Sequence, residues 1–162
     1  MSFYLGVLPA LLLLAFDVSA QDTPPNAPAQ PLPFSHKTHA DANIACQTCH
    51  PNRDPGKNMG IVRPSACIDC HKTVKTTSPA IRQLADLAKK NREIPWARVY
   101  RIPDFVIFSH RLHLKTGNLC EECHGPVATR TQLAVEYDLK QTGCLACHRA
   151  KNAPMLCSTC HE

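Results

Sequence analysis

Ten cysteines and nine histidines are the side chains most able to do chemistry in this chain of 162 residues. All ten cysteines fall in five copies of one pattern, Cys-x-x-Cys-His: Cys46, Cys49 and His50; Cys67, Cys70 and His71; Cys120, Cys123 and His124; Cys144, Cys147 and His148; Cys157, Cys160 and His161. Two thiols at this spacing can add to the two vinyl groups of a haem, and the adjacent imidazole then ligates the iron from the proximal side. At this histidine frequency, five pairs would all be followed by His by chance about once in two million cases. Five covalently attached c-type haems are therefore the expected cofactors. Zinc ribbons pair their knuckles two by two, need no histidine after each, and would leave a fifth unmatched. Disulfides seldom join cysteines three apart in a scaffold.

Four histidines lie outside the clusters, and they occur twice in one frame: Phe34-Ser35-His36-x-x-His39 and Phe108-Ser109-His110-x-x-His113. The frames, the first cysteines after them and the proximal histidines are all displaced by 74 residues, and the next clusters by 77. The chain thus carries an internal repeat of a haem-binding unit, with the slip in a connecting loop. Duplicated spacing ahead of the clusters marks His36, His39, His110 and His113 as distal ligands. Ser35 and Ser109 are good N-caps, and His-x-x-His then puts two imidazoles about one helical turn apart, able to serve two different haems. Phe34 and Phe108 have two readings, packing on a porphyrin face or filling a core.

The elements that must position these groups follow from the intervening sequence. Residues 1–20 hold an apolar run from Leu5 to Phe16, with Pro9 inside it and Asp17 ending it, then Val18-Ser19-Ala20, the pattern of an export leader, although no Lys or Arg precedes it. The run is too short to span a bilayer, so no transmembrane anchor is expected after cleavage, and the mature protein is periplasmic or otherwise exported. Residues 21–33 carry five prolines and read as an extended linker that packs against little, with the folded part starting near Phe34. A dihaem unit at 34–77 and a trihaem unit at 108–162 flank a connecting segment at 78–107. There Ser78 and Pro79 open a helix with Ile81, Leu84, Leu87 and Ala88 on one face, ending before Pro95. Residues 99–108 alternate enough for a short strand, with Pro103 favouring an edge or irregular stretch. Trp96 either stacks near a haem or fills the junction. The fold class is mostly irregular with short α-helices and little β.

Composition agrees. Only 6% of residues are aromatic, and about 28 mature residues serve each haem, so the cofactors must supply much of the core and lie close together. Haem-free chain should be largely unfolded. The formal charge of +5 does not point to nucleic acid. Loss of Asp17 and addition of ten propionates and five ferric centres bring it to about +1, or about −4 when reduced. The basic residues are scattered, with no aromatic stacking set.

The frame Phe-Ser-His-x-x-His followed by Cys-x-x-Cys-His clusters resembles the class III multihaem cytochromes c, the cytochrome c3/c7 family, and 108–162 resembles a complete trihaem c7 unit. The resemblance implies a compact fold of tandem haem-binding units whose function is electron transfer. It also implies the ligand pairs His110 with His124, His113 with His148, His36 with His50 and His39 with His71. The family's third distal His, four residues before the second cluster, is replaced by Lys140. Four free histidines therefore face five haems, and the haem on Cys157, Cys160 and His161 is left short. Met59, Lys140, Met155 or a vacant position are the alternatives. Met155 is tethered close to Cys157 on the proximal side.

A looser similarity covers Trp96 to Val99, Pro103 to His110 and Cys120 to Gly125. This part resembles the multihaem subunit of alternative complex III, implying other redox proteins or a membrane quinol-oxidising complex as partners. Two rival readings remain open on sequence: a small reductase using the under-ligated haem, and subunits stacked haem to haem into a filament.

Overall fold

Every Cys-x-x-Cys pair closes a helical turn in the computed structural model, which describes residues 24, 26–52 and 54–161. The elements are α1 His36–Asp41, α2 Cys46–Cys49, α3 Pro64–His71, α4 Pro79–Lys89, α5 His110–Lys115, α6 Glu121–His124, α7 Gln141–Ala150 and α8 Cys157–Cys160, with a 3-10 turn Val127–Thr129 after α6. The expected leader at 1–20 lies outside the described residues. Short helices separated by loops are the expected class.

Local sequence explains the helix starts. Ser35 Oγ accepts from the Thr38 N–H and Ser109 Oγ from the Leu112 N–H, so the duplicated serines cap α1 and α5 as their spacing requires. Pro64 and Pro79 occupy the first turns of α3 and α4, where a missing N–H is harmless. The apolar face of α4 works as read: Leu84 is buried, and Ile81 and Leu87 pack beside it against Cys67 and Ile68 of α3. Trp96 joins the same cluster, edge-on to Phe34, and so fills the junction.

The two units hold each other by reciprocal bonds. Lys37 N–H at the start of α1 donates to the Arg130 carbonyl, and His110 and Arg111 N–H at the start of α5 donate to Gly56 and Pro55 carbonyls. Gly56 and Arg130 stand six residues after their respective proximal histidines, in the same repeat frame. Each unit's loop after its first cluster thus caps the other unit's His-x-x-His helix. Arg111 also pairs with Asp54 at 2.8 Å, and Arg130 makes a two-pronged bond to Glu136.

Two expectations need correction. The linker does not pack against little at its C-terminal end. Leu32 is 5% exposed in the core with Leu84 and Ile94, and the Gln30 side chain exchanges two hydrogen bonds with the Ala97 backbone. The folded part therefore begins before Phe34, because a prolyl chain held extended can still deliver one leucine into a small core. Residues 99–108 form no strand. An isolated antiparallel bridge joins Val106 to His161, with Ile107 N–H donating to the Cys160 carbonyl. Pro103 lacks a donor and turns the chain into Val106, and the partner segment is the end of α8, too short to propagate a ladder.

Among the described residues, four hydrophobic side chains are buried: Leu32, Leu84, Ile94 and Ala134. Polypeptide packing alone gives little to exclude water here.

Candidate functional site

The five cluster turns share one construction. His50, His124 and His161 each donate their N–H to the carbonyl of the first cysteine of their cluster, Cys46, Cys120 and Cys157, at 2.9–3.0 Å. This closes the turn and sets both sulfurs and the imidazole on neighbouring faces. His71 and His148 end the same turns inside the longer α3 and α7. Gly125 terminates α6 at φ +72, where a Cβ would press on Glu136 and Tyr137. None of the ten cysteines is disulfide-bonded and none is buried, although cysteine is among the most buried residue types in globular proteins. Large apolar side chains stand exposed in the same loops, among them Leu112, Leu119 and Leu156.

The free histidines meet the cluster histidines. Ring centroids of His110 and His124 are 6.2 Å apart, those of His113 and His148 6.1 Å, and those of His39 and His71 6.1 Å. An imidazole nitrogen lies about 1.2 Å from its ring centre and metal–imidazole bonds are about 2.0 Å, so two rings opposed on one metal have centroids about 6.4 Å apart. Three pairs therefore have the spacing that one iron between them demands. The fourth free histidine, His36, is a charge neighbour of His50: burial first, then His50 and His39, hold it down to about 4. Burial, His110 and His50 likewise hold His124 below the ordinary imidazole range. Both are kept neutral, the ligating form.

Hydrogen bonds orient the rings. Nδ1–H of His39, His50, His71, His110, His113 and His148 donates to the carbonyl oxygens of Ser35, Gly60, Val74, Gly56, Ser109 and Pro154 respectively. A carbonyl can only accept, so each of these six rings carries its proton on Nδ1 and offers the Nε2 lone pair. Phe34 stacks on His39 at 4.5 Å and meets His36 edge-on at 4.9 Å, and Phe108 repeats this with His113 at 4.7 Å and His110 at 4.8 Å. The phenylalanines thus brace the histidine pairs, a role the sequence reading missed although their fixed place two and five residues before the histidines signalled it. Tyr100 was also missed. Its ring meets His124 edge-on at 4.4 Å, and its hydroxyl is shared between the His124 and Ala134 carbonyls at 3.0 Å.

The thiols show which clusters are neighbours. Burial raises Cys49, with Cys46 and Cys70 adding to it, and burial raises Cys67, with Cys49 next. Cys123 is raised by burial and then by Cys147, and Cys144 by burial and then by Cys160. With His50 acting on His124, the second cluster neighbours the first, the first the third, the third the fourth and the fourth the fifth. Raised thiols are the opposite of what a thiolate redox centre needs. Among the described residues, no three or more His, Cys, Asp or Glu side chains converge as a bare metal ion would require.

His161 differs from the other cluster histidines. The aromatic ring set against it is Phe105, with centroids 5.9 Å apart and planes 24° from parallel. Of the alternatives for this position, Met59 lies in the loop between Lys57, bonded to the Pro103 and Asp104 carbonyls, and Gly60, bonded to His50. Lys140 caps α7 and lines a cleft with Tyr100 and Tyr137. Met155 is exposed beside Pro154, whose carbonyl holds His148. The residues present fit covalently held haem: sulfur pairs on helical turns with none buried, histidine pairs at iron-spanning separation, and exposed apolar side chains nearby.

Comparison with known proteins agrees with this chemistry. Residues 38–125 match the family described as cytochrome c3, and residues 106–162 match that described as cytochrome c7 and related cytochrome c. The chain is similar to the menaquinone reductase multiheme cytochrome c subunit of Nitratidesulfovibrio vulgaris, 31% identical over 161 residues, covering 82% of this chain and 77% of that protein.

Proposed function

Since the chain belongs to the multihaem cytochrome c family of cytochromes c3 and c7, whose covalently bound c-type haems carry electrons, we propose that it is an exported, periplasmic pentahaem carrier. In this reading it relays electrons between a membrane quinone-linked complex and another redox protein. The observation that carries this reading is the set of three opposed histidine pairs at 6.1–6.2 Å, each pairing a cluster histidine with a free one. When bound, the haems supply one-electron redox chemistry.

The polypeptide supplies the rest. The ten cysteines would hold the haems by thioether bonds, and His50, His71, His124, His148 and His161, together with His36, His39, His110 and His113, would ligate their irons. Because α1 and α5 each present two imidazoles to different clusters, adjacent irons are tied to one short helix, which fixes their separation. The Nδ1–H bonds to carbonyls raise ligand basicity and hold ring planes. The reciprocal caps between the 34–77 and 108–162 units lock the two halves into a single path.

The chain's role in a quinone pathway is supported by the name of its relative, a menaquinone reductase subunit. Among the described residues no helix is long and apolar enough to cross a membrane. Export is supported by the leader pattern at 1–20 and by the chemistry of covalent haem attachment. The test is rapid mixing of the purified haem-loaded protein with a quinol-reduced membrane complex and an acceptor cytochrome. All five haems should reduce and then pass electrons on. A fraction that never exchanges with either partner contradicts the relay.

A further inference from the structure

All four free histidines are taken up opposite or beside other clusters: His36 by His50, His39 by His71, His110 by His124 and His113 by His148. At His161 the corresponding neighbour is a phenyl ring, at 5.9 Å, close to the separation seen in the histidine pairs. Its place is fixed from three directions. Val106 is bridged to His161, Ile107 N–H donates to the Cys160 carbonyl, and Lys57 Nζ holds the Pro103 and Asp104 carbonyls at 3.0 and 3.2 Å. Phe105 is nevertheless 65% exposed, so the space around it communicates with solvent.

We propose that the iron held by His161 takes no ligand from the protein on its second face, where Phe105 stands instead, and that this face is a binding site for a small neutral diatomic such as carbon monoxide or nitric oxide. The inference rests on the pentahaem reading above. A phenyl ring offers no lone pair to the metal and no hydrogen-bond donor to a bound anion, so the site favours apolar π-acceptor ligands over nitrite or sulfite. The other irons, each closed by two imidazoles, take up the same ligands only after a histidine lets go, and so far more slowly. The site lies at the end of the cluster order, beside the fourth cluster.

The experiment uses the full haem-loaded protein, with haem content fixed first by intact mass and haemochrome. Electron paramagnetic resonance of the oxidised protein should show one high-spin haem in five, and the reduced protein should bind one carbon monoxide per chain in a fast phase that waits on no histidine. Phe105→His should convert that haem to low spin and abolish the binding, whereas Phe105→Ala should keep both. A five-haem protein that is wholly low-spin and shows no fast carbon monoxide phase overturns this proposal and leaves the pentahaem carrier standing. A chain with fewer than five haems overturns both. If Phe105→His fails to accumulate, the wild-type spin state and carbon monoxide stoichiometry decide alone. A folded Phe105→His protein that keeps the fast carbon monoxide phase overturns the place given to Phe105.

Discussion

Replacing Phe108 by leucine removes the brace of two histidines while keeping an apolar side chain in place. The ring stacks on His113 at 4.7 Å and meets His110 edge-on at 4.8 Å. Each aromatic contact of this kind is worth about 0.5–1.5 kcal/mol beyond the area it buries. With tenfold in an equilibrium for each 1.4 kcal/mol, losing one contact makes release of its histidine about 2- to 12-fold more favourable. Carbon monoxide enters a bis-histidine haem only after the distal ring lets go, so its rate of binding to the reduced protein reports that release. Stopped-flow traces of Phe108→Leu should show two haems, those on His124 and His148, binding about 2- to 12-fold faster than in the parent. Phe34→Leu should do the same for the haems on His50 and His71. If both variants bind at the parent rates with full haem content, the phenylalanines do not hold the ligands and the reasoning fails.

Further outcomes follow from the same geometry. His36 is held at about 4 against an ordinary imidazole value of 6.5. The unfolded chain therefore takes up this proton first, and the contribution of neutral His36 is intact above pH 6.5 and lost as pH falls toward 4. Acid titration followed by the low-spin absorption should show ligation at His36 surviving through pH 5, and loss near 6.5 would contradict the burial argument. Leu84→Ala, in a core of three clustered buried residues, should cost about 2–3 kcal/mol in denaturant unfolding of the loaded protein, the lower part of the range for such truncations because so thin a core relaxes. Gly143→Ala would drive a Cβ into the Asp138 carbonyl, so α7 must shift. A lower melting temperature and loss of the haem on Cys144 and Cys147 are expected, and an unperturbed variant would contradict the close approach.

How much of this was legible in the sequence depended on whether a feature was local. The cluster turns, the serine caps and the amphipathic face of α4 are each set within a few residues, and the repeat frame put the four free histidines in view before any fold was known. What escaped was long-range. The exchange of caps between Lys37 and Arg130 and between His110 and Gly56 joins positions more than 50 residues apart, and no pattern along the chain states which carbonyl a capped helix will meet. The burial of Leu32 was hidden by the prolines around it, since composition reports stiffness and not destination. Tyr100 carries no motif and Phe105 no ligand chemistry; they matter because their segment is brought to His124 and α8. The expected strand failed for the same reason, its partner being two residues at a helix end.

The central claim is that all ten thiols are bonded to porphyrin. Intact mass spectrometry of the exported protein, read together with pyridine haemochrome absorbance, tests it in one preparation. A red protein whose mass exceeds its mature polypeptide by five haems is expected. A colourless product at the polypeptide mass, or one whose cysteines remain alkylatable, would contradict it.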